Sequence, residues 1–105
     1  MKAIFKDPLK DSKIIDVENS VAGIQKVIGG YFEAITIKED ACILCDEEGK
    51  IKRLKPNCIY NSELIVGPVL VVGVKGEDFT DVPERIIERW KKRKKGRSGG
   101  EWVCL

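Results

Sequence analysis

Cys42 and Cys45 are separated by two residues, a C-x-x-C spacing that serves zinc knuckles and redox dithiols. A zinc site needs a second ligand pair, but the 105-residue chain has no histidine, and Cys58 and Cys104 lie far apart in sequence. A redox pair sits where a strand meets a helix N-terminus, whereas Ala41-Cys42-Ile43-Leu44-Cys45 is apolar and strand-like. Residues three apart in a strand face opposite sides, so the two sulfurs diverge. They are expected to be buried strand cysteines, and all the thiols are expected to be free and without metal.

The lack of histidine also removes the commonest general base, and no Ser or Cys stands in a nucleophile elbow. Asp46, Glu47 and Glu48, like Glu77 and Asp78, adjoin glycine turns and read as solvated turn carboxylates. Gly29-Gly30 follows a helical stretch instead of opening one, so it is not a phosphate-holding loop. The expectation is a protein without catalytic residues, cofactor or metal.

Two other groupings could bind. Strand alternation puts Glu33 on one face with Tyr31, Ile35 and Ile37, either at a sheet edge in water or facing a pocket, with the edge favoured because carboxylates are almost never fully buried unpaired. An aromatic face beside a carboxylate can hold a base or anchor a protein partner. A nucleotide ligand would also need cations from Lys50, Lys52, Arg53 or Lys55. Separately, Lys91, Lys92, Arg93, Lys94, Lys95 and Arg97 form a basic run. It is either a solvated helix end suited to the macrodipole or a non-specific contact for nucleic acid; without interleaved aromatics it cannot read bases.

The elements that would position these groups follow from pattern. Residues 1–6 and 13–18 read as strands joined by a polar link. Ser20 caps a helix with Val21, Ile24 and Ile28 on one face, stopped by Gly29-Gly30. Tyr31–Ile37, Ala41–Cys45 and Ile51–Leu54 read as strands of an antiparallel meander, and Lys55 to Glu63 as an irregular loop. Val69–Val74 is apolar on both faces and belongs at the centre of the sheet. Asp81 and Glu84 have capping-box spacing around Pro83, opening a helix from about Val82 towards Lys95, with Trp90 as its last core anchor. The expected architecture is α+β: a single small domain over residues 1–95, an antiparallel-rich sheet of about five or six strands, two helices covering one face, and a flexible tail over 96–105.

Composition supports one modest core, with 43% hydrophobic and 34% charged residues. The tail from Lys91 carries six basic side chains and one acid, hence +5, while the remaining 13 basic and 16 acidic residues leave the body about −3. The opening Met1–Pro8 lacks the apolar core of a signal peptide, and the longest apolar run, Val69–Val74, is too short for a membrane helix. A cytoplasmic protein without a membrane partner is expected.

Several short blocks together resemble a family of small phage, plasmid and bacterial proteins known only as a domain of unknown function. They are Met1-Lys2-Ala3-Ile4, the stretch from Ile24 through Gly29-Gly30-Tyr31-Phe32-Glu33, Glu48-Gly49-Lys50-Ile51, Pro56-Asn57, Ile65-Val66-Gly67-Pro68-Val69 with Val71-Val72-Gly73, and Gly76-Glu77-Asp78-Phe79-Thr80. The resemblance implies an accessory gene of mobile elements and no particular reaction. By analogy of class it implies action by binding, as counter-defence that sequesters a nucleotide signal or masks a host protein. Tyr31, Glu33, Asp78 and Phe79 are the candidate binding residues, because neighbouring glycines permit close backbone approach and an aromatic can stack. The alternative is a nucleic-acid-associated protein using the basic 91–97 segment.

Overall fold

The alternating apolar pattern of the N-terminal half folds as a strand pair followed by a helix. The computed structural model describes residues 1–96. In it β1 (Lys2–Lys6) and β2 (Lys13–Asp16) pair antiparallel, and α1 spans Val21–Ile28. The Ser20 hydroxyl accepts the Gly23 amide at 2.9 Å, and Gly29, at φ 94°, gives α1 a left-handed C-cap whose amide reaches the Gln25 carbonyl. There follow β3 (Phe32–Lys38), β4 (Ala41–Asp46), β5 (Pro56–Tyr60), β6 (Glu63–Val66), β7 (Val69–Lys75), β8 (Asp78–Thr80) and α2 (Glu84–Gly96).

The main sheet runs β2-β1-β7-β4-β3, with β8 also pairing β7, and every pairing is antiparallel. β7 lies in the middle, where its apolar run predicted it. Val69 and Val71 pack on one face, Leu70 and Val72 on the other. With β5 and β6 as a separate two-stranded sheet, the architecture is the expected α+β domain.

Four expectations about the elements change. The helices do not share a face: Ile24 and Ile28 of α1 pack with Ala3, Cys42, Leu44, Leu70 and Val72, whereas Ile86 and Ile87 of α2, with Val82, pack with Ile43, Val71 and the β5–β6 hairpin. A central strand that is apolar on both sides requires both layers. Residues 51–54 form no strand, because successive turns run from Asp46 to Leu54, including Lys52 N–H to the Glu48 carbonyl at 2.9 Å. The stretch from Lys55 to Glu63 is not irregular but leads into a hairpin. Its tip, Asn61-Ser62, takes φ 52° and 66°, the doubly left-handed turn that matches strand twist. The Asp81 capping box does not form, since Asp81 Oδ1 accepts the Lys2 amide at 2.7 Å and the first helical bonds of α2 run to the Pro83 carbonyl.

Cys42 and Cys45 are free, buried, and in opposite core layers, so the sulfurs diverge as expected. The expectation of free thiols fails at Cys58, which is fully buried and disulfide-bonded. Bridging depends on Cα atoms coming within about 7 Å, a tertiary proximity that chain spacing does not report. Trp90 packs against the α2-side core and donates through Nε1 to Ser12 Oγ at 2.6 Å. The expected tail over 96–105 lies, beyond Gly96, outside the described residues.

Candidate functional site

Gly29 turns the chain out of α1 and directly into β3, an edge strand that pairs only with β4 among the described residues. Tyr31 precedes this strand and is 65% exposed, while its carbonyl accepts the Glu47 amide at 3.0 Å. That bond fixes the start of β3 against the turn after β4.

The turn is held by a buried carboxylate. Asp46 is inaccessible at the end of β4; its Oδ1 accepts the Glu48 amide at 2.8 Å and its Oδ2 meets the Lys52 ammonium at 2.7 Å. The hydrogen bond to Asp46 raises the Lys52 pKa, against a smaller opposing effect of desolvation. Lys52 lies across Gly30, where a β-carbon would stand 2.6 Å from Nζ. Glycine at the exit of α1 therefore leaves room for this ion pair.

Between the β3 margin, this turn and β6 opens a cleft of about 100 Å³, lined by Glu33, Cys45, Glu47, Lys50, Glu63 and Leu64 among others. The two sequence-level alternatives for Glu33 coincide here, since it stands exposed at the sheet edge and also borders the cleft. Cys45 Sγ donates to Glu33 Oε1 at 3.8 Å. Burial first, and then the charge of Glu33, push the Cys45 thiol up to about 12, so it stays protonated and is no nucleophile at neutral pH. Three glutamates and one lysine border this cleft, so the charge around it is negative on balance.

Asp78 and Phe79 are elsewhere. They line a shallow groove of about 790 Å³ between the start of α1 and the β7–β8 turn. Phe79 packs in the α1-side core layer with its ring 6.2 Å from that of Phe32 at 56°, and its carbonyl accepts Asn19 Nδ2 at 2.9 Å. The four candidate residues thus divide between two places, Glu33 towards the α2 layer and Phe79 towards the α1 layer. Of the cations considered for a nucleotide, only Lys50 borders the Glu33 cleft; Lys52 is engaged with Asp46, and Arg53 and Lys55 are exposed outside it.

A scan against family models matches residues 1–95 to a domain of unknown function, DUF3846. The chain belongs to this family. No curated protein and no solved structure matches it. The family match thus covers both the β3 margin and most of the basic segment.

In that segment Lys91, Lys92 and Arg93 are exposed along α2. Lys94 and Lys95 belong to the helix but their side chains, like the whole of Arg97, lie outside the described residues. Sequence reasoning missed two contributions. Glu63 and Leu64 reach the cleft only because β5 and β6 form a hairpin, whose Asn-Ser tip is a weaker signal than Asn-Gly. Arg85 and Arg89, a helical turn apart, line a second groove of about 670 Å³ with Lys38 and Asp40, where Arg85 pairs with Asp40. Their i, i+4 spacing was the available signal.

Proposed function

We propose that this chain is a non-catalytic accessory protein of a phage or other mobile element that acts in the cytoplasm by masking a host protein, using the β3 margin as its binding surface. The supporting observation is an edge strand, paired on one side only among the described residues, that runs beside a cleft of about 100 Å³. Small-molecule sites usually enclose roughly 300–1,000 Å³, so this cleft suits one side chain of a protein better than a whole nucleotide. Its acidic lining further disfavours phosphate. No described helix is long and apolar enough to cross a membrane, which agrees with this setting.

The experiment is to incubate the purified protein with host-cell extract and identify what co-purifies by mass spectrometry, in parallel with a Tyr31→Ala/Glu33→Ala variant. A host protein held by the wild type and lost from the variant supports the reading. Identical sets on both overturn it.

A second reading is association with nucleic acid through α2, favoured by the alignment of Arg85, Arg89, Lys92 and Arg93 at i, i+4, i+7 and i+8 on one side of that helix. It predicts that removing residues 91–105 abolishes binding to duplex DNA and flattens its salt dependence. Binding that persists unchanged after the truncation rules it out.

A further inference from the structure

The hydrogen-bond pattern of β3 shows which of its backbone groups are available among the described residues. The Tyr31 carbonyl bonds Glu47, and the register pairs Glu33 with Cys45 and Ile35 with Ile43. Since hydrogen-bonded and non-hydrogen-bonded pairs alternate in an antiparallel ladder, Glu33 and Ile35 spend their backbone groups on β4. Phe32, Ala34 and Thr36 therefore direct N–H and C=O outward, away from the sheet. Ala34 and Thr36 are exposed, and the register irregularity of β3 comes only after Thr36. The opposite edge, β2, is four residues long and bears Lys13 and Asp16, features that discourage pairing.

We infer that the partner is an extended segment with an apolar-x-basic pattern that adds to β3 as an antiparallel strand and places its lysine or arginine at the Glu33 cleft. This rests on the reading of the β3 margin as the binding surface. On the outer side of β3, Glu33 and Ile35 form the non-hydrogen-bonded positions, where side chains of facing strands come closest. The partner residue facing Glu33 lies on the cleft side, against the carboxylates of Glu33, Glu47 and Glu63, and there charge complementarity selects a cation. The residue facing Ile35 is apolar for the same reason of proximity. Because the added strand runs antiparallel, that apolar residue precedes the basic one by two positions, and the residue between them bonds to Ala34.

The test uses fluorescence anisotropy with short labelled threonine-rich peptides containing Val-Thr-Lys. One control carries Glu in place of Lys, and a second is N-methylated on the central Thr amide. The lysine peptide is expected to bind at least about tenfold more tightly than either control, and a Glu33→Gln/Glu63→Gln variant to lose most of the preference for Lys over Glu. Ala34→Pro removes one outward N–H without touching the bonds to β4, so it should stay folded and lose the peptide. Equal affinities for the Lys and Glu peptides, indifference to N-methylation, or no binding by any peptide would each overturn the inference; the N-methyl comparison holds even where Ala34→Pro unfolds. A host protein still lost from the Tyr31→Ala/Glu33→Ala variant in those cases leaves the broader reading of the margin intact and rejects strand addition alone.

Discussion

Asn57 of β5 grips Lys6 of β1 at both ends of the lysine residue. Its Nδ2 donates to the Lys6 carbonyl at 2.8 Å while its Oδ1 accepts from Lys6 Nζ at 2.9 Å. The same Nδ2 donates to the Gly67 carbonyl at 2.7 Å. Asn57 is 2% exposed, so one side chain ties the small hairpin to the main sheet and to the turn that enters β7.

Replacing Asn57 by Ala leaves two buried carbonyls without this donor. A loss of about 2–4 kcal/mol is expected, from the desolvation cost of each group left unsatisfied. Urea unfolding monitored by tryptophan fluorescence measures it; a loss below about 0.5 kcal/mol, the usual range of an inert surface change, would show that the tie is not structural.

The two-layer core makes a paired prediction. Ile43 and Leu44 are adjacent in β4 and both inaccessible, yet they belong to opposite layers. Ile43→Ala and Leu44→Ala should each cost about 2–5 kcal/mol, the range for truncating a buried aliphatic side chain. A one-layer sheet would give a large loss for one and a small loss for the other.

Gly73→Ala tests the return of the chain from β7 into α2. A β-carbon at Gly73 would collide with the Asp81 carbonyl oxygen, a backbone atom, and stand 2.9 Å from the Thr80 methyl. Backbone cannot rotate aside as a side chain can. The variant should lose about 2–4 kcal/mol, at its upper end beyond the roughly 1–3 kcal/mol of ordinary overpacking, and should lower the thermal midpoint by on the order of 10–20 °C.

Stability should fall in alkaline solution. Burial pushes Cys42 up to about 11 and Cys45 to about 12 from an ordinary 9.0. Above pH 9 the unfolded chain therefore sheds thiol protons that the folded chain retains, and stability declines as pH rises towards the folded values. Lys52, raised by its bond to Asp46, acts in the same direction: its contribution is complete below its ordinary 10.5 and disappears as pH climbs through the raised value. Between pH 8 and 10 the two thiols account for a loss on the order of 2 kcal/mol. Denaturant unfolding at both pH values checks this, and a Cys42→Ala/Cys45→Ala variant should show a visibly flatter profile.

Features that depend on neighbours along the chain are legible in the amino-acid sequence. Ser20 and Gly29 bracket α1 because capping is settled within a turn of helix, and the two-sided apolar run of Val69–Val74 made β7 central because each face of a strand needs its own cover. The divergence of Cys42 and Cys45 follows equally from strand alternation. Which distant groups meet depends instead on how the chain packs in three dimensions. Asp81 had the local chemistry of a helix cap, but the Lys2 amide of β1, far away in sequence, took its carboxylate instead. Glu33 could be assigned to an edge or a pocket from its strand, but its companion Glu63 arrives on a hairpin set by two left-handed residues, Asn61 and Ser62. The placement of α1 and α2 on opposite faces, and the separation of Phe79 from Glu33, depend likewise on how strands order themselves across the sheet. Pairing energy and layer packing fix that order, and a linear pattern of side chains records which residues seek burial without recording against what.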